Sequence, residues 1–130
     1  SGPLDPSGKK IDVSDRPNTC ISIRDNEAVI GSTDHALYAV DIRKGVKTRT
    51  LYTKTCGHTE WVTCVTHLNL GNDTLGKVVS GGMDGKLCLW NAAGARCVDL
   101  KGHEGSITAV KATREGVLVT GAYDACVGVW

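Results

Sequence analysis

The run SGGMDGKLCLWN, residues 80–91, aligns with VTGAYDACVGVW at 119–130 and with IGSTDHALYAV at 30–40. The aspartates of the three copies stand at 34, 84 and 124, intervals of 50 and 40 residues. Ahead of two of them lie Gly57-His58 and Gly102-His103, 45 residues apart. Asp84 precedes Trp90 by six residues, and Asp124 precedes Trp130 by the same six. Self-similarity on this period means a row of like units, none of which can bury its apolar face alone. The 130 residues therefore divide into about three supersecondary units.

Inside each unit the pattern is that of strands. No window sustains apolar residues at helical spacing behind a cap. Short β-branched runs recur instead at 19–24, 28–32, 36–42, 46–53, 61–67, 77–81, 86–90, 95–100, 106–112, 117–121 and 126–130. Between them stand turn pairs such as Asp25-Asn26, Asp34-His35, Lys44-Gly45, Asp84-Gly85 and Glu115-Gly116. Short strands at steady spacing predict an all-β protein. Asp84-Gly85 suits a two-residue turn with positive φ at both positions.

A Gly-His pair, a hydroxyl residue four before an Asp, and a Trp six after it, all repeated, resemble the WD-repeat family of β-propellers. The resemblance covers roughly residues 19–130 and implies four-stranded antiparallel blades packed radially. It divides the chain into a linker or closing segment at 1–18, a degenerate blade at 19–55, a blade at 56–101 and a blade at 102–130 without its outer strand. Residues 9–14 alternate like a strand and are expected to serve as the outer strand of another blade. The resemblance also implies a buried polar network in each blade, His58–Ser80–Asp84–Trp90 and His103–Thr120–Asp124–Trp130. Its physical logic is complete satisfaction: Asp holds one ring nitrogen of His, the hydroxyl meets the other, and the indole N–H meets the hydroxyl. In the first unit Ile30 stands at the hydroxyl position and Val40 at the Trp position. No Gly-His precedes that unit, and the matching region reads Ile11-Asp12-Val13. Asp34 is expected to have no network to join, leaving that blade to packing alone. The second unit exceeds the third by a loop at 69–76, expected on the bottom face as a surface insertion.

Several chemistries are suggested by residue type and rejected by context. Gly85-Lys86 is followed by Leu87, Ser80 stands where a phosphate loop needs its first glycine, and the run leads into a strand rather than a helix N-terminus. Ser80, His58 and Asp84 are a hydrolase trio by type, but geometry defines a triad. Cys56, His58, Cys64 and His67 have ligand types and spacing that zinc accepts. This cluster is the basis of the alternative reading as a zinc-binding or catalytic protein.

Charge and cysteine usage narrow the rest. Fifteen Lys+Arg against 14 Asp+Glu leave a net charge of +1, unlike a dedicated nucleic-acid binder. A nucleic-acid-associated propeller subunit remains a further alternative. No apolar run approaches the length of a membrane span. The opening SGPLDPSGKK lacks an apolar signal core and reads as a linker or excerpt. Six cysteines without a CxxC pair, most of them within strand-like runs, suggest free thiols and an intracellular setting, cytoplasmic or nuclear. The expectation is a non-enzymatic scaffold without cofactor, binding a protein or peptide partner within a multi-subunit complex. By the resemblance, the residue before each turn Asp points to the top face, so Thr33, Met83 and Tyr123, with Glu60 and Trp61, are the candidate contacts. Three blades are fewer than a closed ring uses. The chain is an excerpt of a longer propeller, pairs with a second copy to give six blades, or joins other chains.

Overall fold

The computed structural model describes residues 10–53, 57–68, 77–91, 97–101, 103–124 and 126–130. Among the described residues, eleven strands make up the regular structure and there is no helix. In chain order they are β1 (Asn18–Arg24), β2 (Glu27–Ser32), β3 (Leu37–Asp41), β4 (Val46–Leu51), β5 (Val62–Leu68), β6 (Lys77–Gly82), β7 (Lys86–Trp90), β8 (Cys97–Lys101), β9 (Ile107–Ala112), β10 (Leu118–Ala122) and β11 (Val127–Val129). They form three antiparallel meanders: β1-β2-β3-β4, β5-β6-β7-β8 and β9-β10-β11. The expected all-β architecture of three blades, the last with three strands, is the architecture observed.

Alternation along the strands decides how the sheets stack, because successive side chains point to opposite faces. In the first sheet Val29, Leu37, Ala39 and Leu51 turn toward the second sheet. There they meet Val62, Val65, Val78 and Trp90 in one closed core. The opposite face of the second sheet sends Cys64, Leu68, Val79 and Leu87 against Ile107, Val110 and Leu118 of the third. The first strands neighbour one another in the order β1, β5, β9, so the sheets fan out from a shared inner side. The middle sheet is covered on both faces. Each flanking sheet keeps an outer one: Ile21, Ile23, Ile30, Val40 and Ile42 on the first, and Val119, Val127 and Val129 on the third.

Close approach between sheets depends on missing side chains. A Cβ at Gly31 would lie 2.7 Å from Val62 Cγ1, and one at Gly81 2.8 Å from Ile107 Cγ2. Beside each, a threonine hydroxyl crosses the gap, Thr19 donating to the Val62 carbonyl and Thr63 to the Ile107 carbonyl.

Three expectations change. At the β6–β7 turn Gly85 alone has positive φ, 79°, and Gly85 N–H donates to the Gly82 carbonyl at 3.2 Å. The connection is three residues, Met83-Asp84-Gly85, with the glycine in the left-handed region, in place of the two-residue form. Residues 10–14 form no strand. Ile11 and Val13 lie against the outer face of the first sheet, and Lys47 Nζ donates to the Val13 carbonyl at 3.3 Å. Burying Val13 on isoleucines satisfies the alternation that suggested a strand. Asp34 does have a network, described below. The 69–76 loop, Lys9, Cys56 and Gly102 lie outside the described residues.

Candidate functional site

The sequence places an aspartate at each β2–β3-type turn, and the fold carries it to the start of the neighbouring first strand. In the second sheet Trp90 Nε1–H donates to Ser80 Oγ at 2.9 Å. Ser80 Oγ lies 2.7 Å from His58 Nε2, and His58 Nδ1 lies 3.2 Å from both Asp84 oxygens. Only one proton placement satisfies every atom with a neutral ring: the hydroxyl donates to Nε2 and Nδ1–H donates to the carboxylate. Thr59 N–H adds a bond to Asp84 at 3.0 Å. The third sheet repeats the arrangement, with Trp130 Nε1–H to Thr120 Oγ1 at 3.2 Å, Thr120 Oγ1 to His103 Nε2 at 2.7 Å, and His103 Nδ1 to Asp124 at 3.0 Å. All eight residues named from the sequence come together.

Burial works against ionisation of Asp84. The bonds from His58, Thr59 N–H and Lys86 N–H outweigh it and hold the carboxyl below its ordinary range. Asp124 is held low by the Cys126 N–H first, then by His103.

The first sheet solves the same problem with other residues. Ser14 Oγ–H donates to Asp34 Oδ2 at 2.7 Å, the Tyr38 hydroxyl donates to the same oxygen, and Ala36 N–H donates to Oδ1 at 3.0 Å. Against the cost of burial, these bonds lower the Asp34 pKa. The expectation of an isolated Asp34 is thus corrected. Backbone bonds give the reason: Thr33 N–H meets the Pro17 carbonyl as Met83 N–H meets that of Trp61 and Tyr123 N–H that of Ser106. Counting back three residues from each acceptor gives Ser14, His58 and His103, so Ser14 holds the histidine position. Its 20-residue separation from Asp34, close to the 21 between His103 and Asp124, was the available signal. Tyr38 gave none, since its ring comes from a strand position held by Cys88 in the second sheet.

The Ser80–His58–Asp84 distances are those of a hydrolytic triad, but the surroundings are not. Ser80 is fully buried and already accepts the Trp90 indole N–H, so no substrate carbonyl reaches Oγ without opening the sheet. The suggested zinc ligands diverge. His58 is committed to Ser80 and Asp84, and Cys64 lies in the core facing the third sheet. His67 faces the first sheet, 2.8 Å from Ser22 Oγ and 3.1 Å from Glu27, which Arg49 also grips at 3.2 Å. No group of three or more His, Cys, Asp or Glu residues that could hold a metal exists among the described residues. Cys20, Cys64, Cys88 and Cys126 are free thiols. Burial pushes the Cys64 thiol up to about 11, leaving it unreactive as a nucleophile.

Above the buried networks the turns form a rim. Thr33, half-buried, and Met83 and Tyr123, exposed, occupy equivalent turn positions, each pinned by its backbone N–H to the residue before a first strand. Trp61 is 51% exposed and Tyr123 81%; Glu60 beside Trp61 is exposed too. Ser106 Oγ–H reaches the Met83 carbonyl at 3.4 Å, and His103 N–H the Gly85 carbonyl at 3.3 Å, locking the rim across two sheets. No helix among the described residues is long and apolar enough to cross a membrane.

A search of curated proteins finds no match to this chain. The family model described as WD domain, G-beta repeat matches residues 47–91 and 94–130, together more than half of the sequence. The matched segments carry both complete polar networks, and the chain belongs to the WD-repeat family.

Proposed function

We propose that this chain is a non-enzymatic interaction scaffold, working inside the cell within a multi-subunit complex, and that its rim takes a protein or peptide partner. WD repeats typically build such surfaces. The observation that carries the reading is the separation of two residue sets. The polar residues that look catalytic are spent on internal bonds, whereas Trp61, Met83 and Tyr123 are held on fixed backbone and left exposed. Tyr, Trp and Met are favoured interface anchors, and a rigid rim loses little freedom on binding. Thr33 and Glu60 extend the same surface.

Partners captured on the chain and identified by mass spectrometry provide the ligand for the test. Tyr123→Ala or Trp61→Ala is expected to weaken that complex by about 2 kcal/mol or more, as anchors do, with the thermal midpoint unchanged. Equal affinity for both variants would overturn the rim as the contact surface. Asp84→Ala is expected to act the other way, lowering stability first.

A further inference from the structure

The turns that carry the rim are bound to one another in a fixed order. Met83 N–H donates to the Trp61 carbonyl at 2.9 Å, and Ser106 Oγ–H donates to the Met83 carbonyl at 3.4 Å. Tyr123 N–H then meets the Ser106 carbonyl at 3.0 Å. Trp61, Met83, Ser106 and Tyr123 therefore follow one another along a single strip. From the third sheet, the peptide units around Glu104 press on the Met83 turn: a Cβ at Gly85 would lie 2.5 Å from the His103 carbonyl oxygen and 3.2 Å from that of Gly105. The Met83 turn thus sits between Glu60-Trp61 on one side and Glu104 on the other. Trp61 and Met83 are 51% and 46% exposed. Both belong to the middle sheet, which has a neighbour on each side, so this exposure is not that of an edge.

The strip also has one sign of charge. Its described turn residues, 57–61, 83–85, 103–106 and 123–124, include the carboxylates of Glu60, Asp84, Glu104 and Asp124 and no lysine or arginine. Glu60 and Glu104 are exposed. Asp84 and Asp124 lie beneath them, with their carboxyls held below the ordinary range. Lys86, next in sequence to Gly85, is directed elsewhere, because its Nζ donates to Asp99 Oδ2 of β8 at 3.2 Å. On the first sheet the matching turn carries Asp15 and Arg16, which offset each other. The excess of negative charge therefore coincides with the exposed indole and thioether.

We propose that the partner of the rim is a basic peptide segment, its arginine or lysine side chains laid across Trp61 and Met83 and ending at Glu60 and Glu104. This rests on the rim being the contact surface. Such a side chain matches the strip along its whole length. Its apolar stem covers the thioether and indole, and its cation meets the indole face or a carboxylate. Arginine suits the place better than lysine, since its planar head both stacks on an aromatic ring and pairs with a carboxylate. A neutral or acidic segment matches only the apolar half, because it covers Glu60 and Glu104 without supplying a counter-charge. The same sign of charge draws a basic segment toward this face before contact is made.

The test is fluorescence anisotropy with three labelled peptides of equal length, in which glycine alternates with arginine, glutamate or serine. The arginine peptide is expected to bind, and the other two to bind about tenfold more weakly or less. Glu60→Lys and Glu104→Lys are each expected to weaken the arginine peptide about tenfold. That effect should shrink between about 0.1 M and about 1 M salt, as the screening length falls from about 10 Å to about 3 Å. Glu115→Lys makes the same change of net charge at the exposed β9–β10 turn, the opposite end of β10 from Tyr123, and is expected to leave binding unchanged. Trp61→Ala is expected to weaken binding at both salt concentrations. Equal binding of the three peptides, or an equal loss in Glu115→Lys and Glu60→Lys, would overturn the proposal. A captured partner whose rim-dependent segment is neutral or acidic overturns it too, yet leaves the scaffold reading standing. If captured partner and arginine peptide alike ignore Trp61→Ala and Tyr123→Ala, the rim itself is the wrong surface.

Discussion

At the scale of single residues, the aspartates matter more than their exposure suggests. Asp84→Ala leaves the buried His58 Nδ1–H without its acceptor, at about 1–3 kcal/mol, and removes the exposed bond from Thr59 N–H. The expected result is a lower urea midpoint with an unchanged slope. Asp34→Ala is expected to cost a comparable amount, because Ser14 and Tyr38 lose their shared acceptor; a midpoint equal to wild type would mean that packing alone holds the first sheet. Acid gives a third check. The carboxyls of Asp84, Asp34 and Asp124 all sit below their ordinary value, so the unfolded chain takes up protons at a higher pH than the folded one. Stability from these groups is present above the unfolded value of about 3.9 and is lost as pH falls through the folded values. In Asp84→Asn that part of the slope is absent, so thermal midpoints measured from about pH 5 downward fall less steeply than in wild type.

At the scale of elements, the contacts between sheets reward specific absences. Gly81→Ala drives a methyl to within 2.7 Å of Cys64 Sγ and 2.8 Å of Ile107 Cγ2, an overpacking expected to cost about 1–3 kcal/mol. Gly121→Ala, at the equivalent place in the third sheet, puts its methyl 3.8 Å from Thr108 Oγ1, an ordinary contact, and is expected to be near neutral; chemical denaturation of the pair of variants tests the contrast. The strands and their order were legible because apolar alternation is a period-two signal that survives in one sequence. His58, Ser80, Asp84 and Trp90, and their four counterparts, were legible because they recur at near-constant spacing. Ser14 was not, because serine in an irregular segment carries no type signal, and its place depends on a backbone bond at Pro17 that spacing alone does not fix. The β6–β7 turn was misjudged because Asp-Gly is compatible with more than one turn. The proposed zinc cluster failed through facing: Cys64 and His67 lie on the same strand but open onto different sheets.

At the scale of the whole molecule, burial is unequal by position. The middle sheet has both faces covered by neighbouring sheets and each flanking sheet only one, so local opening is expected to begin at the flanks. Amide hydrogen exchange checks this: protection should be greatest along β6 and β7 and least along β11, where Val127 and Val129 are exposed. The threonine crossings mean that one sheet cannot swing away without breaking a bond at the inner strands as well as baring its core. The cysteines turn this into something that can be timed. Cys20 packs against the first core, Cys64 belongs to the second, and Cys126 lies open. An alkylating reagent should modify Cys126 at once, whereas Cys64, buried and with its thiol held near 11, waits for the second and third sheets to part. The lag between the two modified peptides is a clock that the chain carries for the breathing of its own seams.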